Sequence, residues 1–138
     1  MRTFVAGLVV LLPLAFAAGC GESSQEKAEK TVCAAKSQIA TDVHSLQTLP
    51  VAASSLETAK HDVQSIGEQL KKIQGAQGSL SGARREQVEK ANATLSSELS
   101  SLTHELTNLT QPQALARVTA ALDKLAASYR QAFAPVQC

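Results

Sequence analysis

Aromatic side chains are scarce in this chain, which limits the kind of site it can build. Phe, Tyr and Trp make up 3% of the 138 residues, and Trp is absent. Phe4 and Phe16 lie near the start, which leaves only Tyr129 and Phe133 for the rest of the chain. Ligand pockets usually offer aromatic walls and convergent polar groups. The composition supplies few such walls and predicts a core of Leu, Val, Ile and Ala.

The chain also lacks an excess of charge of either sign. Lys and Arg together number 13, and Asp and Glu together number 12. Proteins that bind nucleic acids depend on clustered basic side chains, so this balance argues against a nucleic-acid partner. A hydrophobic content of 44% excludes a polyelectrolyte tail, and 138 residues allow one ordinary domain.

Recognisable catalytic and metal-binding motifs are missing as well. The sequence contains no Gly-x-Ser-x-Gly elbow of the kind that presents a nucleophilic serine. His44, His61 and His104 share no metal-ligand spacing, so we expect three solvated side chains, no metal and no cofactor. We therefore expect a protein without enzymatic activity, and an enzyme whose site leaves no sequence signature is the alternative.

The first 19 residues have the order of a secretory signal. Arg2 is followed by an apolar run from Phe4 to Phe16 and then by the small residues Ala-Ala-Gly at positions 17–19. A membrane-spanning helix needs about 20 predominantly apolar residues, and this run is shorter. We predict that residues 1–19 are removed on export.

The stretch Phe16-Ala17-Ala18-Gly19-Cys20 resembles the lipobox of bacterial lipoproteins, with Ala17 standing where that family most often has Leu. The resemblance implies that Cys20 carries a diacylglycerol and becomes the first residue of the mature protein. It further implies attachment to the cell membrane or the outer membrane, on the extracytoplasmic side. The alternative is an ordinary cleavage near Ala18, which would leave Cys20 as a free or paired thiol.

Apolar residues recur at steps of three and four along four segments, and each set forms an apolar stripe that predicts an amphipathic helix with this face in the core. The stripe of the first helix is Val32, Ala35, Ile39, Val43 and Leu46, and that of the fourth is Leu115, Val118, Leu122, Leu125, Tyr129 and Phe133. Residues 20–30 are polar and are interpreted as the lipidated Cys with a tether or a frayed first turn. Ser23 and Glu26 have the spacing of a capping box at a helix start. The first helix is then expected to run to about Leu49, where Pro50 ends it.

The other three helices are expected over about residues 55–74, 81–109 and 111–134. Ser54-x-x-Glu57 predicts a second capping box, and Thr110-x-x-Gln113 predicts a third, with a proline between its two members. Gly75 is expected to end the second helix, in a turn whose glycines, 75, 78 and 82, favour positive backbone φ angles.

These segments predict an all-α fold, an antiparallel up-down-up-down four-helix bundle over residues 31–138. No alternating strand pattern of useful length appears in the sequence. Long coiled-coil hairpins that dimerise to bury the same stripes are the alternative. We see no polar residue at a stripe position, so the sequence specifies the oligomeric state poorly.

If Cys20 is lipidated, Cys33 and Cys138 remain as an even pair outside the cytoplasm, where disulfides persist. At about 1.5 Å per helical residue, the two ascending helices total about 66 Å and the two descending ones about 63 Å. The end of the fourth helix therefore returns close to the level of Cys33. We predict a Cys33–Cys138 disulfide worth about 4 kcal/mol. A free thiol at Cys33 or an intermolecular bond through Cys138 is the alternative.

Lys71 and Lys72 precede the glycine-rich turn, and Arg84 and Arg85 follow it. If the disulfide forms, this turn lies at the same end of the bundle as the lipid. Contact of these four side chains with anionic headgroups is one hypothesis, at about 1 kcal/mol for each charge. Ordinary solvation of a helix surface is the other.

The anchor, the helices and the missing catalytic motifs together favour a non-enzymatic envelope lipoprotein. Its bundle would have a structural role or offer a face to another envelope protein or to the cell wall. The alternative is a bundle that binds a small ligand or a lipid in a cavity enclosed by the Leu-rich stripes of the third and fourth helices.

Overall fold

The computed structural model describes residues 21–50, 52–110 and 113–138. The four helices within them are α1 (Ser24–Thr48), α2 (Leu56–Gln77), α3 (Gly82–Thr107) and α4 (Ala114–Phe133). A single 3-10 turn, Ala53–Ser55, precedes α2. The predicted leader and Cys20 lie outside the described residues.

The helices pack as an all-α four-helix bundle, as the sequence predicts. Each helix contacts the next along the chain, and α4 closes the bundle against α1 along the sparsest of the four seams. One end of the bundle holds the starts of α1 and α3 and the ends of α2 and α4, and we call it the clasp end. The opposite end, where α1 turns into α2 and α3 into α4, is called the pocket end.

The core is built from the predicted apolar stripes and is almost entirely aliphatic. Tyr129 and Phe133 are its only aromatic members among the described residues, and their rings stack with centroids 5.4 Å apart. Full burial of each large side chain contributes about 1.5–3 kcal/mol. The largest fully buried side chains are Phe133, Ile39, Leu46, Ile66, Ile73, Leu95, Leu102 and Leu125.

The start of α1 is confirmed in detail. The Ser23 hydroxyl accepts a hydrogen bond from the Glu26 backbone amide at 3.1 Å, and the Glu26 carboxylate accepts one from the Ser23 amide at 2.8 Å. This reciprocal capping satisfies two backbone donors that a helix start leaves unpaired. Since α1 begins at Ser24, only residues 21–23 of the described chain precede it.

The other two predicted capping boxes are wrong. The 3-10 turn places Ser55 at the start of α2 in a right-handed conformation, and neither Ser54 nor Ser55 caps the helix through its side chain. At the start of α4, Gln113 takes the cap position in a left-handed conformation, with φ 67°, and makes no capping hydrogen bond through its side chain.

The predicted end of α2 at Gly75 is also wrong, because the helix continues to Gln77. A glycine inside a helix costs only about 1 kcal/mol relative to alanine, and burial of Leu80 in the following turn fixes where the chain leaves the helix. Of the three glycines expected to adopt positive φ angles, only Gly82 does so, at 47°.

Two buried carboxylates contradict the expectation that no polar residue occupies a stripe position. Asp42 on α1 and Asp62 on α2 are 5% and 7% exposed. Asp42 accepts hydrogen bonds from Gln38 at 2.8 Å and from Ser65 at 2.6 Å, the second of which joins α1 to α2. The Oδ2 atom of Asp62 is buried without a hydrogen-bond partner. A signal was present in the sequence, because Asp42 lies three residues after Ile39 in the first stripe.

Candidate functional site

A disulfide joins Cys33 on α1 to Cys138, as predicted, and holds the chain after α4 against the clasp end. The two Cα atoms are 5.6 Å apart. Val136 is fully buried, and its carbonyl accepts a hydrogen bond from Lys36 at 2.6 Å. We call this bridge and residues 135–137 the clasp. Its polar and apolar contacts fix the end of the chain in addition to the covalent bond.

Arg84 belongs to the clasp rather than to the open surface. Its Nη2 atom donates a hydrogen bond to the Gln137 carbonyl and lies 4.0 Å from the Cys33 sulfur. Tyr129 on α4 donates to the Lys36 carbonyl at 3.0 Å, and burial raises the pKa of this tyrosine above its usual 10.0. The clasp end is therefore held by side chains from α1, α3 and α4.

The four predicted headgroup contacts have different surroundings in the structure. Arg84 is engaged by the chain end, and Arg85 pairs with Glu89 at 2.7 Å. Lys71 lines a shallow groove between α2 and α3, and Lys72 is exposed. Contact with anionic headgroups stays a prediction for these four side chains.

The pocket end has an apolar pocket of about 410 Å³. Ligand pockets in proteins commonly measure about 300–1,000 Å³, so this volume is sufficient for a small molecule. The pocket is lined by residues from all four helices and from the α1–α2 connection. Its lining residues are Leu46, Leu49, Pro50, Ala52, Ala53, Ser55, Leu56, Ala59, Leu106, Leu109, Leu115, Val118 and Leu122.

The local sequence explains why space is left at this end. Leu49 ends α1 in an extended conformation, and Pro50 after it carries the chain away from the helix axis. The alanines Ala52, Ala53 and Ala59 then line the same space as the leucines of α3 and α4. Small side chains placed among large ones leave volume unfilled where the helices diverge.

Leu115 lines this pocket and is exposed, although it belongs to the predicted apolar stripe of α4. We expected it in the core, but 57% of its surface is exposed. It lies in the first turn of α4, two residues after Gln113, which takes the cap position of the helix in a left-handed conformation. Leu115 is the only large hydrophobic side chain that is exposed among the residues described.

Among the described residues, no charged side chain lines the pocket, and Ser55 is the single polar one. The ion pairs that join α3 to α4 lie outside the lining, with Arg117 3.4 Å from Glu105 and Lys124 3.2 Å from Glu98. An apolar lining of this kind favours an uncharged occupant, because burying an unpaired charge there would cost several kcal/mol.

The candidate metal ligands are dispersed. His44, His61 and His104 are all exposed. His61 lies 3.5 Å from the Asp62 carboxylate, and His104 lies 3.8 Å from Glu105. Within residues 21–50, 52–110 and 113–138, no three His, Cys, Asp or Glu side chains are close enough together to hold a metal ion.

None of the helices in the described part of the chain is long and apolar enough to cross a membrane. Comparisons of the chain with protein family models, with curated proteins and with solved structures give no match. Inference about function therefore depends on the residues of this chain alone.

Proposed function

We propose that this protein is exported, anchored through a lipid on Cys20 to the outer face of a bacterial membrane, and acts by binding an apolar ligand in its pocket. The lipobox-like stretch at residues 16–20 supports the anchor. The Cys33–Cys138 disulfide is consistent with an oxidising compartment outside the cytoplasm. Binding without catalysis fits a sequence that offers no recognisable catalytic motif.

The observation that carries the proposal is the apolar pocket of about 410 Å³ at the pocket end. Concave, mostly apolar sites of this size are the usual form of small-molecule sites. The sequence favoured a structural role or a surface for another envelope protein or the cell wall. The pocket favours the alternative, a ligand-binding bundle, since it supplies a specific cavity. Among the described residues, Leu115 is the only large hydrophobic side chain that the surface exposes.

A dye-binding experiment with a blocked pocket tests this proposal. Residues 20–138 with Cys20→Ser contain all four helices and the clasp, and can be titrated with Nile red, a neutral dye that fluoresces in apolar surroundings. Ala53→Trp places a large ring at a lining position that is exposed. We expect it to weaken dye binding at least tenfold. Ala127→Trp, at an exposed position of α4 outside the lining, is the matched control and should bind as the parent does.

Two results would contradict the proposal. The first is a parent protein that does not bind the dye. The second is equal weakening by Ala53→Trp and Ala127→Trp, because it would place the dye somewhere other than the pocket. Circular dichroism of each variant would check that the helices remain formed.

A further inference from the structure

We infer that the pocket takes one hydrocarbon chain of a lipid other than the protein's own anchor, with the polar head of that lipid left in water. This inference rests on the proposed function and narrows its ligand to one chemical class. It follows from the chemistry of the lining, from its volume, from the surface around it and from its distance from Cys20.

The lining offers contacts to methylene groups and almost nothing else. Of the thirteen described residues that line the pocket, twelve are Leu, Val, Ala or Pro, and Ser55 is the exception. A ligand with several polar atoms would leave them without hydrogen-bond partners, at a cost of about 1–3 kcal/mol for each buried group. A hydrocarbon chain has no such atoms, and each methylene it buries contributes about 0.8 kcal/mol.

The volume is sufficient for one chain and too small for two long ones. An apolar cavity of about 150 Å³ holds one benzene molecule, with six carbon atoms. By that proportion the 410 Å³ of this pocket accommodates about sixteen carbon atoms. This number matches a single acyl chain of ordinary length.

The surface around the pocket argues against a protein partner as the occupant. A standard protein interface buries about 800 Å² on each partner and has an apolar centre. Outside the pocket such a centre would need further exposed apolar side chains. In the part of the chain that the structure describes, Leu115 is the only large one.

The protein's own lipid anchor is an unsuitable occupant. Leu46, the lining residue of α1 nearest to the anchor, lies 22 residues after the start of α1 at Ser24, which is about 33 Å along the helix. From Cys20 to Ser24 the extended chain spans at most about 14 Å. An acyl chain of the anchor would therefore have to leave the bilayer almost completely to enter the pocket. Because stable anchoring needs two acyl chains in the membrane, a chain withdrawn in this way would no longer hold the protein there, and we assign the occupant to another lipid.

A chain-length series tests this inference. Straight-chain fatty acids of eight, twelve, sixteen and twenty carbons are used to displace Nile red from residues 20–138 with Cys20→Ser, with Ala53→Trp as the blocked variant and Ala127→Trp as its control. We expect the affinity to increase with chain length, by up to about fourfold for each added methylene. The increase should stop near sixteen carbons, and Ala53→Trp should remove the length dependence.

The outcomes separate this inference from the proposed function. If the dye binds in the pocket but no fatty acid displaces it, or if displacement does not depend on chain length, the pocket is a ligand site and the hydrocarbon-chain assignment is wrong. If the dye does not bind, both proposals are wrong. A dimer in sedimentation that Leu115→Gln dissociates would make a second copy of this chain the occupant, and would also overturn the inference.

Discussion

The two ends of the bundle are built in opposite ways. At the clasp end, a disulfide, a buried Val136 and hydrogen bonds from Lys36 and Arg84 hold the chain end against α1 and α3. At the pocket end, an apolar space remains between the helices, and Leu115 is exposed. Parts of a protein that bind ligands commonly belong to its less stable regions. The comparison indicates that the cross-links are concentrated at the end where α1 begins, and we propose that the opposite end is open for binding.

The largest expected effect is on membrane attachment, and it should come from substitution of Cys20. In the proposed function this residue joins the clasp end to the membrane. In the full chain, Cys20→Ala removes the only thiol that the lipobox resemblance assigns to the lipid. We expect nearly all of the protein to move from the membrane fraction to the soluble fraction after cell disruption. Cys33→Ala is the matched control and should leave it in the membrane fraction. Unchanged sedimentation of the Cys20→Ala protein would refute the anchor.

Removing the disulfide of the clasp should cause a large loss of stability. Cys33→Ser combined with Cys138→Ser opens a bridge between residues 105 positions apart, and we expect the free energy of unfolding to fall by about 4 kcal/mol. Urea titration against the Cys20→Ser parent measures the change. Dye binding at the pocket end should persist in the absence of urea, because the nearest lining residue of α1, Leu46, lies about 20 Å along the helix from Cys33.

An unchanged unfolding midpoint would show that the bridge contributes nothing to stability. Disulfide-linked dimers on a non-reducing gel would show that the bridge forms between chains instead. An intact mass two daltons below that of the reduced protein would support the intramolecular bond.

A pair of leucine substitutions compares the packed middle of the bundle with the pocket end. Leu95 on α3 is fully buried, and Leu95→Ala should destabilise the protein by about 2–5 kcal/mol through the cavity it leaves. Leu115 is 57% exposed, so Leu115→Ala should change stability by no more than about 0.5 kcal/mol. Urea titration of both variants gives the comparison, and similar losses for the two would mean that Leu115 is packed in solution.

The smallest expected difference in stability is between variants of the two buried carboxylates, Asp42 and Asp62. Asp42→Ala leaves Gln38 and Ser65 without their acceptor and should cost about 1–2 kcal/mol. Asp62→Ala removes a carboxylate with one oxygen unpaired, and it should leave stability unchanged or raise it by about 1 kcal/mol. Thermal unfolding of the two variants side by side measures the difference. A larger loss for Asp62→Ala would mean that its carboxylate has a partner in solution.

Periodicity predicted the helices well, because an apolar stripe determines which face of a helix is buried. The interior residues Val32, Ile39, Ile66 and Leu102 are buried as their spacing requires. The Cys33–Cys138 bridge was predictable too, since helix rise alone brings the end of the fourth helix back to the level of Cys33.

The pocket was not predictable, because it depends on how the connections direct the helices. The sequence showed Leu115 in register with the stripe of α4, but the left-handed Gln113 sets the start of that helix and leaves Leu115 exposed. Ser54 and Glu57 have capping spacing, but the 3-10 turn before α2 prevents the cap. Local spacing specifies a helix and its buried face, and tertiary packing decides what remains open between helix ends.

Nuclear magnetic resonance of the leucine methyl groups tests the central claim, ligand binding at the pocket end, most directly. Hexadecanoic acid is added to residues 20–138 carrying Cys20→Ser. The account predicts shifts at the lining methyl groups of Leu46, Leu106 and Leu122, with those of Leu95 and Leu125 in the middle of the bundle unmoved. Shifts confined to the α2–α3 groove near Leu99, or no shifts at all, would contradict it.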